Sequence, residues 1–279
     1  MLLFPNCKIN LGLHVVEKRP DGFHNIETVF YPVYWREALE IIENKSDKEP
    51  ITFTSSGNLI EGDYKDNLIY KAWELISSIK TIPPIKVHLH KNIPMGAGLG
   101  GGSADAAFFI NSLDQKFNMN LTLKQKTQIA SVLGSDCAFF IENKPVLAKG
   151  RGNEFYDIKV DIQKYYLLIV YPGINCNTKE AYSNLKPQKP LNDLKYILEN
   201  EPVKEWKNLL INDFEINIFT KYPQVKEVKQ LLYHSGAIYA SMSGSGSAVF
   251  GMFEKKPAVN LNKAFNYFLQ DPTSKLSFC

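Results

Sequence analysis

Residues 94–107 read Pro-Met-Gly-Ala-Gly-Leu-Gly-Gly-Gly-Ser-Ala-Asp-Ala-Ala, with five glycines, Gly96, Gly98, Gly100, Gly101 and Gly102, inside seven positions. A backbone without Cβ atoms can take positive φ and bring its N–H groups against an anion. The residues that follow favour a helix from about Ser103, and a helix start adds unpaired N–H groups and the positive end of a dipole. The chemistry these residues offer is phosphate binding. Gly96-x-Gly98-x-x-Gly101 also fits the dinucleotide fingerprint, but that motif needs an acidic residue about 20 positions on, at a strand end. Here that region is the polar stretch Asn118-Met119-Asn120-Leu121-Thr122. A Walker loop would end in Gly-Lys-Ser/Thr, and this one ends Gly-Gly-Ser.

Other residues with chemical potential lie far from this loop in sequence. Residues 7–16 alternate, with Cys7, Ile9, Leu11, Leu13 and Val15 on one face and Lys8, Asn10, Gly12 and His14 on the other. The pattern predicts a half-buried strand with a polar working face, on which Asn10 follows Lys8 by about 6.6 Å. A lysine there calls for an anionic neighbour. Asp136 follows a helix-ending glycine and precedes the apolar run Cys137-Ala138-Phe139-Phe140-Ile141, an edge where a carboxylate is partly desolvated. His88 and His90 share a strand face, but no third ligand accompanies them, so they read as solvent-facing.

The elements that must position these groups follow from local pattern. Asp21-Gly22 is a turn leading to an apolar strand over residues 28–34, and residues 39–42 and 51–54 read as further strands. Asp66-Asn67 caps a helix with apolar Leu68, Ile69, Ala72, Trp73, Leu75 and Ile76. Ile85, Val87 and Leu89 alternate with Lys86, His88 and His90 in a strand that delivers the chain to the glycine loop. Helices are predicted over residues 103–117, 122–133, 191–199 and 224–233. Residues 165–171 form a buried strand, residues 238–253 a strand pair around Ser243-Gly244-Ser245-Gly246-Ser247, and residues 145–160 a turn-rich approach to a domain boundary. Strands and helices mix without a steady βαβ rhythm, which predicts α+β.

Composition narrows the function classes. A chain of 279 residues implies two unequal domains, divided at residues 1–155 and 156–279. With 32 Lys and Arg against 29 Asp and Glu, the net charge of +3 lacks the basic excess of a nucleic-acid binder, so the partner is a small molecule. Cys7, Cys137, Cys176 and Cys279 form no C-x-x-C pair and read as reduced, buried thiols. No leader pattern opens the chain and no apolar run approaches about 18 residues, so a cytoplasmic, unanchored protein is expected.

Three segments stand in fixed order: Pro5-x-x-Lys8-Ile9-Asn10-Leu11-x-Leu13, the glycine loop, and Met242-Ser243-Gly244-Ser245-Gly246. This arrangement resembles the three-motif signature of the GHMP kinase superfamily. The match narrows to the branch acting on cytidine-diphosphate-linked methylerythritol, through Arg19-Pro20-Asp21-Gly22-Phe23-His24-Asn25-Ile26-Glu27-Thr28, Asp66-Asn67-Leu68-Ile69 and Gly134-Ser135-Asp136. The resemblance implies a two-domain α+β fold, an amino-terminal domain like ribosomal protein S5 domain 2 followed by a smaller ferredoxin-like domain. It also implies ATP with Mg2+ and transfer of the γ-phosphate to a 2-hydroxyl, and it leaves a homodimer open.

By that resemblance Asp136 is the base and Lys8 its electrostatic partner, while Asn10 binds substrate. Asn67, Lys91, Pro94, Met95, Gly96, Ala97, Gly98, Leu99, Gly100, Gly101, Gly102, Ser103 and Ala104 are implied on the ATP side. Phe23, in place of the usual Tyr, and Tyr182 are implied to stack on cytosine, with His24 at its edge and Thr178 bonding the substrate. A sister kinase acting on homoserine or mevalonate would share the glycine loop but need no aromatic–histidine pair. A binding protein without catalysis could dispense with Lys8 and Asp136, and a NAD-dependent dehydrogenase is the weakest alternative.

Overall fold

The computed structural model describes residues 1–45, 49–183 and 185–273. Cys279, one of the four expected thiols, lies outside them, whereas Cys7, Cys137 and Cys176 are buried thiols outside any disulfide, as expected. The chain divides into two compact units, each assembled from separate stretches of sequence. One comprises the described parts of Met1–Cys7, Trp35–Pro94 and Gly100–Asn143, the other those of Lys8–Tyr34, Met95–Leu99 and Lys144–Cys279.

The first unit holds a four-stranded sheet in the order Leu2–Leu3, Ala38–Glu43, Ile85–Lys91, Ile51–Gly57. Its pairs are antiparallel except the last, which is parallel. Period two governs the strand Ile85–Lys91: Ile85, Val87 and Leu89 are buried, and Lys91 is in phase with them. Glu37 is likewise in phase with buried Leu39 and Ile41. On the opposite face, Thr54 and Ser56 hydrogen-bond His88 at 2.8 and 2.9 Å, and Ser56 also bonds His90 at 3.0 Å. The two histidines therefore sit in a polar ladder on the more exposed face of the sheet.

Helices Leu68–Ser77, Gly101–Phe117, Leu123–Leu133 and Ser135–Glu142 complete the first unit. Asn67 Oδ1 accepts from the Ile69 N–H at 2.9 Å and caps the first of these. Helix Leu123–Leu133 opens with a reciprocal capping box between Thr122 and Gln125. Helix Gly101–Phe117 starts two residues before Ser103, where it was expected. Within the loop, positive φ belongs to Gly96, Gly98 and Gly100, while Gly101 and Gly102 already lie in the helix. The freedom to take positive φ is thus used at three of the five glycines.

The second unit carries two four-stranded sheets. One runs Asn6–Lys18, His24–Arg36, Val146–Lys149, Glu154–Asp157 and the other Tyr239–Met242, Val249–Phe253, Tyr166–Tyr171, Asn266–Gln270, the latter antiparallel throughout. Helices Glu215–Lys221 and Pro223–His234 supply Ile218, Val225, Val228 and Leu232 to the core, against Leu168, Val170, Ala240 and Val249 of the second sheet. Two expectations change here. Residues 145–160 contain an antiparallel hairpin that joins the first sheet, because Val146, Leu147 and Ala148 pair with strand His24–Arg36. The polar face of residues 7–16 is buried rather than open, with Lys8, Asn10 and His14 at 3, 2 and 7% exposure. Residues 95–99 and 243–246 of the same unit cover Lys8 and Asn10.

The capping box gives a local test. Thr122→Ala removes the acceptor of the Gln125 N–H and should cost about 1 kcal/mol of stability in urea unfolding. A change below about 0.3 kcal/mol would show that this helix start contributes little.

Candidate active site

In the second unit, three separated stretches converge on one carbonyl. Gly98 O accepts from Lys8 Nζ at 3.0 Å and from Ser243 Oγ at 2.9 Å. Lys8 Nζ also donates to Asn10 Oδ1 at 2.7 Å and lies 5.1 Å from the Phe30 ring centroid. Asn10 Nδ2 donates to Thr28 Oγ1 at 2.9 Å, and Thr28 Oγ1 donates to Gly12 O at 2.5 Å. Lys8, Asn10, Thr28 and Ser243 are all buried, so each polar atom needs its partner to avoid a desolvation penalty. Gly98 stands at φ +76, and a Cβ there would lie 2.1 Å from Ser243 O. Asn212 fastens the third stretch from below, its Nδ2 donating to Met242 O at 2.9 Å and to Gly244 O at 2.8 Å.

The aromatic residues singled out in the sequence lie in the same unit. His24 and Tyr182 stack with centroids 4.6 Å apart and planes at 16°, and Phe214 meets Tyr182 edge-on at 4.7 Å. Phe23 is half exposed, and the Arg151 guanidinium lies 3.6 Å from its centroid. His24 and Tyr182 are thus brought together as expected, although the ring parallel to Tyr182 here is His24 itself. Burial, helped by Lys18, holds the His24 pKa below its ordinary value, so the ring is neutral near pH 7 and offers one donor and one acceptor. Thr178 opens the short helix Thr178–Tyr182 and shares a 3.2 Å hydrogen bond with Ser245.

In the first unit, helix Gly101–Phe117 starts from Gly100 in the left-handed region without a side-chain cap. Its early N–H groups are therefore available to an anion. A Cβ on Gly102 would meet nothing within 4 Å, so open space lies against the first turn. Burial pushes the Cys137 thiol up to about 11, against an opposing influence from Ser103, the residue implied on the ATP side. Asp136 is half-buried in the first turn of helix Ser135–Glu142, at the positive end of its dipole.

Lys91 is nowhere near solvent. Its ammonium is 2% exposed and donates to Glu37 Oε1 and, at 2.9 Å, to Asp105 Oδ2. Burial disfavours the charged lysine, but attraction from Asp105 and Glu37 outweighs it and raises the pKa. Burial pushes Asp105 up to about 7, against the pull of Lys91, with Glu37 adding repulsion. Glu37 and Asp105 were not singled out in the sequence. The available signal was phase, since Glu37 alternates with Leu39 and Ile41, and Asp105 stands among alanines on a buried helix face. Thr28 and Ser243 were also missed as individual site residues, though Ser243 lay inside a noted motif.

Two family descriptions match the chain, "GHMP kinases N terminal domain" over residues 67–144 and "GHMP kinases C terminal" over residues 197–269. A 4-diphosphocytidyl-2-C-methyl-D-erythritol kinase of Bacteroides fragilis is 48% identical over 268 residues, covering 95% of this chain and 97% of that protein. A crystal structure of 4-(cytidine 5'-diphospho)-2C-methyl-D-erythritol kinase superposes with a TM-score of 0.75 at 29% identity, covering 90% of each chain. Homoserine kinase from Cytophaga hutchinsonii shares the fold, with a TM-score of 0.69 at 16% identity over 96% of this chain and 93% of that one.

Two measurements probe this geometry. Gly98→Ala would force a side chain into the left-handed region and against Ser243 O, so a stability loss of about 1–3 kcal/mol is expected in urea unfolding; an unchanged midpoint would mean that the loop moves aside. Asp105 gives a pH signature. The native chain holds a proton that the unfolded chain, with its carboxyl near 3.8, has released, so this residue's contribution to stability falls as pH rises from about 4 to 7. Asp105→Asn should remove that fall, measured as unfolding free energy at pH 5 and pH 8. The same decline in both proteins would exclude Asp105 as its source.

Proposed function

The chain belongs to the 4-diphosphocytidyl-2-C-methyl-D-erythritol kinase family of the GHMP kinases, and from that membership we propose that it transfers the γ-phosphate of ATP to the 2-hydroxyl of 4-diphosphocytidyl-2-C-methyl-D-erythritol. The hydroxyl oxygen attacks the γ-phosphorus, the bond to the β–γ bridging oxygen breaks, and the 2-phosphate and ADP result. The observation that carries the reading is 48% identity along nearly the whole chain to a kinase of that name, with the signature residues at their expected positions.

In this proposal Asp136 takes the proton of the attacking hydroxyl or aligns it, and Lys8 offsets the charge that develops on the transferring phosphoryl group. Residues 94–104 receive the ATP phosphates. The uncapped start of helix Gly101–Phe117 and the open space beside Gly102 support that role. Magnesium belongs to the proposal as a companion of the phosphates, to neutralise their charge. Such an ion keeps several waters and needs few protein ligands, and among the described residues no group of three or more His, Cys, Asp or Glu could hold a metal.

Substrate identity rests on the aromatic group. Phe23 and Tyr182 offer stacking faces to cytosine, and a neutral His24 can both donate to and accept from its edge. Cytosine would replace the His24 ring on Tyr182, exchanging one stacked contact for another. Asn10 and Thr178 are assigned to the rest of the substrate. The proposal includes a division near residue 155, since the two matched family descriptions fall on either side of it. It also includes a cytoplasmic location. Among the described residues no helix is long and apolar enough to cross a membrane.

Phosphorus NMR with ATP, magnesium and the cytidyl substrate tests the activity through the appearance of a new phosphomonoester. Asp136→Asn should keep the fold and ATP affinity while turnover falls about 10²- to 10⁴-fold; full activity would remove Asp136 from the chemistry. Phe23→Ala or Tyr182→Ala should raise the Michaelis constant for the cytidyl substrate roughly 5- to 150-fold, with that for ATP nearly unchanged. Equal phosphorylation of homoserine or of methylerythritol phosphate lacking cytidine would overturn the substrate assignment.

A further inference from the structure

Lys91 and Glu37 reach each other by strand geometry. Ala38 pairs with His90 across the antiparallel strands, and one step further along the same register places Glu37 opposite Lys91. Both side chains point to the core face, and the Glu37 carboxylate is fully buried. Besides Lys91, Glu37 accepts the N–H of Asn92 at 2.5 Å and of Ile93 at 3.1 Å through Oε2. A Cβ on Gly101 would stand 3.2 Å from Glu37 Oε1, so the absence of a side chain there lets the carboxylate pack close to the helix start. Asp105, one turn into that helix, takes the other side of the Lys91 ammonium, while its Oδ1 is buried with no hydrogen-bond partner.

The cluster thus grips residues 91–93, just before the glycine loop, and the first turns of the helix just after it. Two buried carboxylates at the positive end of that helix would on their own occupy the favourable potential and repel an incoming phosphate. The lysine between them cancels most of that field. Removing the lysine alone, or both carboxylates together, leaves an uncompensated buried charge, whereas neutralising all three leaves none.

We propose that Lys91 serves ATP binding as a positioning residue, by balancing Glu37 and Asp105 so that they can fix both flanks of the phosphate loop, and that its ammonium does not touch the nucleotide. This deepens the kinase reading and rests on it. Turnover of the unaltered chain tests that reading separately, whereas the comparison below is read from ATP affinity alone.

The test is calorimetric titration of ATP with magnesium into Lys91→Met, the double variant E37Q/D105N and the triple variant K91M/E37Q/D105N, with thermal melts to establish folding. Lys91→Met and the double variant should each weaken ATP binding roughly tenfold or more, since each leaves unbalanced buried charge. The triple variant, neutral throughout, should recover to within about threefold of the unaltered chain. A merely structural role would not produce that rescue. If Lys91→Met does not fold, the double and triple variants decide the matter between them. A folded triple variant that stays weak would make Lys91 a direct nucleotide ligand, and single or double variants with unaltered affinity would reduce the cluster to a support of the fold. Either result overturns the proposal.

Discussion

The carbonyl oxygen of Gly98 is the atom on which the second unit's polar site depends. It accepts hydrogen bonds from Lys8, 90 residues away in sequence, and from Ser243, 145 residues away. The peptide can present that oxygen because Gly98 sits at positive φ with its missing side chain filled by the Ser243 carbonyl. One backbone conformation therefore sets where the Lys8 ammonium stands, which places Asn10 through a 2.7 Å contact and Thr28 behind it. Phosphoryl transfer involves little covalent chemistry by the protein, so fixing charges and donors before substrate arrives is most of what such a site can contribute.

Burying a lysine is costly, and the chain does so in two ways. Lys8 donates to the Asn10 and Gly98 oxygens and lies against the Phe30 ring, groups that help to solvate its charge. Lys91 is held by two carboxylates, whose combined attraction overcomes the burial that would otherwise lower its pKa. That pairing consumes the positive potential of Lys91 locally, which suits it to holding a loop.

Much of this was legible beforehand. The glycine loop, the capped helices at Asn67 and Thr122, the strand pair around Ser243 and the aromatic–histidine pair all carry local signals in residue type and spacing. Phase was the most informative and the least exploited of them. Lys91 falls in step with Ile85, Val87 and Leu89, which already implies a buried ammonium in need of a partner. At residues 7–16 the same alternation predicts a polar working face but not its burial. Alternation tells which residues share a side, but it does not tell what covers that side.

Sequence by itself determined the membership of the chain, its mixed α+β elements and the identity of nearly every group with chemical capacity, because these depend on residue type and short-range periodicity. Tertiary structure decided which groups meet. It brought Gly98 under Lys8 and Ser243, set His24 on Tyr182, and joined Glu37 and Asp105 through Lys91. The sealing of the Lys8 face and the pKa shifts of His24 and Asp105 were decided there as well. Solvent exclusion and charge balance are sums over neighbours that lie far apart along the chain, so no local pattern could contain them.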